Sequence, residues 1–232
     1  MRYHVSMGSR PFTFTNNEYY HIYNRGVDGR LIAKDQFDST RFVKSLVLFN
    51  NKLPLGSIYE YERRQTSMFE GQQLNRQFIL DKPIVQIICY CLNPNHYHLI
   101  VKQIKEGGIS YFMQKLGTGI TLHFNERHKR RGALFESKFK ARPIDDNDYL
   151  LHASAYVNLN NRVHRISGKN LELVRSSFDE YKESRKGICA KDIILGQFKG
   201  ASEYVKFCEE SFELMLQAKD DQAELKAIEF EQ

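Results

Sequence analysis

The sequence lacks the features that define several classes of protein. Its 232 residues contain only four cysteines and no C-x-x-C pair, which excludes a zinc knuckle and a disulfide framework. No apolar run reaches the roughly 18 residues that a membrane span requires. The N-terminus has no apolar signal region, and no internal repeat is visible. We therefore expect a soluble, cytoplasmic protein that has no membrane partner.

The charge is unevenly distributed along the chain. The net charge is +6 and the pI is near 9.0, which makes phosphate-bearing partners plausible. A dense basic segment spans residues 127–142, whereas the last sixteen residues are acidic. A basic run by itself is equally typical of a solvated protein face. Charge alone therefore does not identify the partner.

The order of predicted elements indicates an α+β fold. Periodicity and turn residues predict the order β-α-β-β-α-β, which is that of a ferredoxin-like split fold: an antiparallel sheet with helices on one face. Asp35 is a plausible N-cap for the first helix. A further helix that carries a tyrosine and a C-terminal helical extension are expected to follow. The predicted strands are 12–25, Ile84–Leu92, His96–Lys102 and Gly132–Lys140; the predicted helices are about fifteen residues after Asp35, Ser110–His128 and Tyr149–Asn161.

Two regions do not follow this pattern. Residues 52–82 are polar and irregular, which predicts a short strand and a long excursion. Arg175–Ser184 has a loop-like composition, and two or three shorter helices are expected after it. We divide the chain into a first domain, residues 1–165, and a helical C-terminal extension, residues 166–232.

Two histidines stand at the start of an apolar strand, directly after an Asn-Pro-Asn turn. Residues i and i+2 of a strand point to the same face, so His96 and His98 can present two imidazoles side by side while Tyr97 points away. Two such imidazoles can supply half of a metal site. Satisfied polar residues near a turn are an equally good interpretation of this pair alone.

A tyrosine and an asparagine lie four residues apart in a predicted helix. Tyr156 and Asn160 would therefore share one helix face, one turn from each other. An amide oxygen suits Mg²⁺ or Mn²⁺, and a phenol is a nucleophile once it is activated. Spacing alone favours a simpler interpretation, in which Tyr156 packs against the sheet and Asn160 caps the helix.

Five motifs in order resemble those of the single-tyrosine HUH transposases, and more narrowly the branch of REP-associated tyrosine transposases. The segment 91–99 (CLNPNHYHL) resembles the family's histidine signature. The resemblance covers about residues 12–165, although Asn161 stands where the family usually has proline. The other four segments are HIYNRGV at 21–27, YFMQKL at 111–116, GALFESKFK at 132–140 and YVNLN at 156–160.

The resemblance implies a chemistry and assigns residues to it. His96, His98 and Asn160 would hold Mg²⁺ or Mn²⁺, and Tyr156 would attack single-stranded or hairpin DNA to form a 5′-phosphotyrosine. Such an enzyme is a metal-dependent DNA strand transferase that serves transposition and recombination. The resemblance leaves open whether the protein is a monomer or a homodimer. The basic residues expected to contact DNA are Arg25, Lys129, Arg130, Arg131, Lys138, Lys140 and Arg142.

Two other functions stay open at this point. A non-catalytic, domesticated relative would bind hairpin or single-stranded DNA without cleaving it. A Zn²⁺-dependent hydrolase would need further ligands and a general base. The remaining histidines do not have metalloprotease spacing, which disfavours the hydrolase.

Overall fold

The computed structural model describes residues 11–51 and 83–230, with side chains up to residue 219. The irregular segment predicted at 52–82 lies outside the described residues. Five strands form one antiparallel sheet in the order β4-β1-β3-β2-β5. The strands are β1 (Tyr19–Arg25), β2 (Val85–Leu92), β3 (His96–Gln103), β4 (Lys140–Ile144) and β5 (Arg175–Ser176).

Helices cover both faces of this sheet. Two 3-10 turns, Val27–Gly29 and Gly168–Leu173, add to them. Within the described residues, no helix is both long and apolar enough to cross a membrane. The helices are α1 (Gln36–Leu48), α2 (Gly108–Arg127), α3 (Asn147–Asn158), α4 (Asn160–Val163), α5 (Phe178–Lys182), α6 (Asp192–Leu195) and α7 (Ala201–Phe230).

The ferredoxin-like fold class is confirmed. Elements β1, α1, β2, β3, α2 and β4 follow the predicted order, and α1 and α2 pack together on one face of the sheet. Asp35 caps α1 as expected, because its side chain accepts a hydrogen bond from the Asp38 amide. Side chains of successive strand residues point to opposite faces of the sheet, so Tyr97, Leu99 and Val101 of β3 join the core beneath α1 and α2.

The opposite face of the sheet is covered by α3 and by the C-terminal segment. Ile100 of β3 and Cys91 of β2 pack in a second core with Ala155 and Val157 of α3. The C-terminal residues of this core are fully buried or nearly so: Tyr181, Ile194, Tyr204, Cys208 and Phe212. The residues after 166 therefore help to hold α3 against the strands.

The strand predicted at Gly132–Lys140 is wrong in its position. Strand β4 begins at Lys140 and ends at Ile144. Residues 132–139 instead form bends that meet the end of β1 through separate hydrogen bonds, such as Glu136 N to Arg25 O at 3.0 Å. Leu134 is fully buried, but apart from the isolated bridge between Phe135 and Gly26 the segment pairs with no strand in the described part of the chain.

The C-terminal predictions also need correction. The segment expected as a loop contains strand β5, which pairs with the end of β2, and helix α5. Two helices, α6 and α7, follow Ser184 as predicted, but α7 is 30 residues long and therefore not short. Its buried positions Tyr204, Cys208 and Phe212 recur every four residues, which places them on one face of α7.

Candidate metal and tyrosine site

The motif histidines stand on the sheet face that α3 covers. Strand β3 begins at His96, directly after a turn closed by the hydrogen bond from Asn93 N to His96 O, 2.8 Å. His96 is half-buried and His98 is buried. Tyr97, between them, points to the other face and is 1% exposed. The predicted side-by-side placement of the two imidazoles is therefore confirmed.

The hydrogen bonds of Asn95 determine the tautomer of His96. The amide nitrogen of Asn95 donates to the Gly29 carbonyl at 3.2 Å, so its Oδ1 is the end that meets His96 Nδ1 at 2.7 Å. An amide oxygen only accepts hydrogen bonds, so His96 Nδ1 carries the proton. Burial lowers the pKa of His96, which leaves its ring neutral near pH 7. The lone pair therefore lies on Nε2.

That lone pair faces a second acceptor. His96 Nε2 lies 3.0 Å from Asn160 Oδ1, and the Asn93 amide nitrogen contacts both atoms, at 2.9 and 2.7 Å. Two neighbouring ligands at about 2.1 Å from an octahedral ion stand roughly 3.0 Å apart. The separation of these two acceptors is therefore compatible with two neighbouring ligands of one divalent cation.

A third imidazole comes from the end of α4. His96, His98 and His164 form a cluster whose ligand atoms all lie within 4.8 Å of one another, and the rings of His96 and His164 are 4.6 Å apart. His164 is exposed as a residue, but the partial burial of its ring and the neighbouring His96, Lys219 and Arg25 lower its pKa to about 4. A neutral imidazole offers its lone pair to a metal. The cluster could therefore bind a metal ion.

Asn160 offers a fourth potential ligand atom through Oδ1. Its side chain is fully buried, and its Nδ2 has no hydrogen-bond partner among the described residues. An unpaired N–H donor needs an acceptor such as water, so Oδ1, and not Nδ2, is the atom that supports a cation. Three imidazoles and one amide oxygen are a ligand set that fits a hydrated divalent cation.

Tyr156 reaches this cluster from α3. Its ring stands edge-on to His98 at 5.4 Å and to His21 at 6.0 Å. The three residues line one cavity of about 470 Å³, together with Tyr23 and Arg142. Burial raises the pKa of Tyr156, while the Asn160 amide and the Arg142 charge oppose that rise. The phenol is therefore protonated near neutral pH.

The helix that carries Tyr156 ends earlier than predicted. Helix α3 ends at Asn158, Leu159 leaves the helical region with φ −103° and ψ 13°, and Asn160 starts the separate turn α4. The prediction that Tyr156 and Asn160 share one continuous helix is therefore wrong. Leu159 N still bonds to Ala155 O at 2.9 Å, so the chain keeps its direction and Asn160 still meets His96.

Buried hydroxyl groups hold α3 in this position. Tyr204 Oη of α7 bonds to Ser154 Oγ at 3.0 Å and accepts from Asn158 Nδ2 at 2.8 Å. Ser177 Oγ donates to Asn158 Oδ1 at 2.6 Å. The end of α3 is therefore attached both to α7 and to the segment after β5.

The predicted DNA-binding residues do not form one surface. Arg25 pairs in register with His96, and Arg142 lines the Tyr156 cavity, so both lie on the side of the imidazole cluster. Lys138 instead lines a groove with Tyr97, on the opposite face of the sheet.

The remaining basic residues serve local contacts or lie in solvent. Arg130 donates to Asn125 Oδ1 and to the carbonyl groups of Gly132 and Ala133, which fixes the turn after α2. Lys140 pairs with Glu136 at 3.5 Å. Lys129 and Arg131 are exposed beside this turn.

Two histidines near the site carry no assignment from sequence reasoning. His164 follows Asn160 by four residues, so the spacing 156, 160, 164 was a signal that could have indicated it. His21 contacts His98 from the neighbouring strand, with Nε2 and Nδ1 2.8 Å apart. No sequence spacing connects His21 to the motif, because strand pairing brings the two rings together.

The split antiparallel sheet presents to the Tyr156 ring an imidazole cluster that could bind a metal ion. Residues 65–161 match the family model described as "Transposase IS200 like". This match confirms the family resemblance that the motifs indicate, and transposases are enzymes that act on DNA. The narrower assignment to the REP-associated branch stays a prediction.

Other comparisons add little to this family match. Among curated proteins, none matches the chain. A solved structure described as a REP-associated tyrosine transposase bound to a REP hairpin is similar over 84% of this chain and 96% of that one, with 14% identity and a TM-score of 0.46. At these values the similarity supports no inference about activity or partner.

Proposed function

We propose that the protein cleaves and rejoins single-stranded DNA, with Tyr156 as nucleophile and with His96, His98 and Asn160 as ligands of a divalent metal ion. The observation that carries the proposal is the Tyr156 ring, 5.4 Å from His98 at the imidazole cluster. The family match to transposases supports DNA as the substrate. The domain boundary between residues 165 and 166 is part of the same proposal.

The proposed reaction exchanges one phosphodiester for another. The Tyr156 oxygen forms a bond to phosphorus, the bond from phosphorus to the 3′ oxygen breaks, and the phenolic proton balances the proton gained by the departing 3′-OH. The product is a 5′-phosphotyrosine and a free 3′-OH. A second 3′-OH reverses the step and joins a new strand, so no outside energy source is required.

The residues of the site have separate tasks. When bound, a divalent ion such as Mg²⁺ or Mn²⁺ would polarise the scissile phosphate. His96, His98 and Asn160 would hold that ion, and His164 offers a further imidazole. Burial raises the pKa of the Tyr156 phenol, and the nearby Arg142 charge opposes that rise; the same charge favours a phosphate placed beside it.

The test is a covalent-adduct assay. Full-length protein is incubated with hairpin-bearing single-stranded oligonucleotides and Mg²⁺ or Mn²⁺, and a protein–DNA band is sought on a denaturing gel. Wild type should form the adduct and Tyr156→Phe should not. Tyr149→Phe is the matched control, because Tyr149 belongs to the same helix α3 and lines the same cavity. If Tyr156→Phe still formed the adduct, another tyrosine would be the nucleophile. If wild type formed no adduct, the proposal of a tyrosine nucleophile would be refuted.

One observation favours a second candidate function. The sequence offered only two histidines, His96 and His98, for the Zn²⁺ site of a hydrolase. The structure adds His164 as a third imidazole beside them. Three histidines with an open position are a known catalytic zinc set. Zn²⁺-dependent cleavage of small esters without any DNA adduct would support that function. DNA binding without adduct or hydrolysis would support a non-catalytic DNA-binding protein.

A further inference from the structure

A histidine of the neighbouring strand holds the second histidine of the motif. In the ladder between β1 and β3, His98 pairs with Tyr23 and His21 pairs with Ile100, so the two histidines are diagonal neighbours on one face. His21 Nε2 and His98 Nδ1 are 2.8 Å apart, and each residue is 8% exposed. The contact is a buried hydrogen bond between two imidazoles.

Only one direction of this hydrogen bond leaves His98 able to act as a ligand through Nε2. A neutral imidazole has one N–H and one lone pair. If His98 Nδ1 donates to His21, the lone pair of His98 lies on Nε2. The neighbouring ligand follows the same arrangement, because His96 Nδ1 donates to Asn95 and its Nε2 faces Asn160.

The ring of His98 is also held on its other sides. Tyr23 stacks on it at 5.6 Å and 17°, and Tyr156 stands edge-on to it. These aromatic contacts restrict the ring plane, but they do not distinguish one ring nitrogen from the other. Among the contacts that His98 makes with the described residues, the hydrogen bond with His21 is the one that selects the tautomer.

We propose that His21 is a positioning residue for the metal ligand His98: it accepts a hydrogen bond from His98 Nδ1–H and so keeps the His98 Nε2 lone pair available for a divalent cation. This inference rests on the proposed function, in which His98 binds the ion. Partners of this kind usually contribute a 10- to 100-fold gain in metal affinity. They are most often carboxylates or carbonyl groups, and here an imidazole takes that place.

The first measurement is Mn²⁺ affinity, by titration calorimetry of the full-length protein without DNA. His21→Leu removes the acceptor from a buried strand position and should weaken Mn²⁺ binding by about 10- to 100-fold. His21→Gln can place a carbonyl oxygen where Nε2 stood and should restore most of the affinity. His152→Gln is the control, because His152 lines the same cavity but bonds to Ser211 instead of to a motif histidine.

The second measurement reads the tautomer directly by nitrogen-detected NMR of the histidine rings. Metal-free wild type should show His98 protonated at Nδ1, and His21→Leu should lose that preference. A purely structural role of His21 would not move this signal. The wild-type spectrum needs neither metal nor variant, so it reads the His98 tautomer even if His21→Leu folds poorly, a case that thermal unfolding identifies.

The outcomes separate the inference from the proposed function. Unchanged Mn²⁺ affinity in His21→Leu, or a wild-type His98 protonated at Nε2, would overturn the role of His21 and leave the metal site intact. Wild type that binds no Mn²⁺ would instead refute the proposed metal site, and the role of His21 with it. The role of His21 would be supported by three results together: weak Mn²⁺ binding in His21→Leu, recovery in His21→Gln, and a wild-type His98 protonated at Nδ1.

Discussion

At the scale of residues, the contact between His96 Nε2 and Asn160 Oδ1 is the most informative one in the site. Both atoms are acceptors, and they are 3.0 Å apart. The Asn93 amide reduces their repulsion by donating to both. A divalent ion would replace the Asn93 N–H at the single Nε2 lone pair of His96, so either the amide or a cation can hold these two atoms together.

His164 is expected to contribute to metal affinity and metal preference. His164→Ala should weaken Mn²⁺ binding at least about tenfold, equivalent to about 1.4 kcal/mol, because one of three clustered imidazoles is lost. Mg²⁺ binding should change less, because Mg²⁺ prefers oxygen ligands. Titration calorimetry with each ion measures both effects, and His152→Ala is the control. If His164→Ala weakened Mn²⁺ and Mg²⁺ binding equally, the His164 imidazole would not be the source of a preference for Mn²⁺.

At the scale of elements, the position of α3 depends on α7. Tyr204 is fully buried, and its hydroxyl group is shared by Ser154 and Asn158 of α3. Arg162, just beyond α3, forms a bidentate pair with Glu209 of α7, at 2.6 and 2.8 Å. The nucleophile-bearing helix is therefore held by residues far along the chain.

Tyr204→Phe should loosen this attachment. The change leaves the buried Asn158 amide without one acceptor, which should cost about 1–3 kcal/mol in the free energy of unfolding. Urea unfolding measures the loss. Tyr111→Phe is the control, because Tyr111 is 41% exposed on α2, and it should change stability by less than about 0.5 kcal/mol. If Tyr204→Phe and Tyr111→Phe changed the free energy of unfolding equally, the Tyr204 hydroxyl group would not be holding α3.

At the scale of the whole molecule, one buried carboxylate joins α1 to the end of α2. Asp38 accepts from Arg127 and His128 at 2.8 Å each and from the Lys34 amide at 2.9 Å. Burial alone would raise the pKa of Asp38, but the hydrogen bonds and charges around it hold that pKa well below its usual value. The carboxylate is therefore ionised in the folded protein under all ordinary conditions.

Asp38 should make the fold sensitive to acid. Its pKa is lower in the folded than in the unfolded chain, so its contribution is present above about pH 4 and is lost as the pH falls below that value. Asp38→Asn should cost about 3 kcal/mol at pH 7, and the difference from wild type should shrink toward pH 3. Urea unfolding across this range tests it. Asp28→Asn, at an exposed ion pair with Arg30, is the control.

Salt dependence should report how oligonucleotides bind. If single-stranded DNA lies along the Tyr156 cavity, Arg142→Gln should reduce the slope of log affinity against log salt by about 0.7, the value for one phosphate contact. Fluorescence anisotropy at several salt concentrations measures the slope. Lys206→Gln is the control, because Lys206 is exposed on α7 and paired with Glu210. An unchanged slope for Arg142→Gln would place the DNA elsewhere.

Local rules predicted much of the fold and part of the site. The N-cap at Asp35, the two long helices and the hairpin at Asn93–Asn95 follow from capping residues, periodicity and turn residues that act over a few positions. The same rules failed at β4. Pro143 disfavours a strand in the sequence, yet β4 is an edge strand of the sheet, where a missing amide donor is tolerated.

The sequence by itself determined the side-by-side imidazoles of His96 and His98, because the two-residue period of a strand fixes their face. Only the tertiary structure decided which groups meet them. Strand pairing brings His21 to His98, and the packing of α7 on α3 brings Tyr156 and His164 to the cluster. The residues in these contacts are roughly 60 to 80 positions apart in the sequence, and no local propensity specifies a contact at that separation.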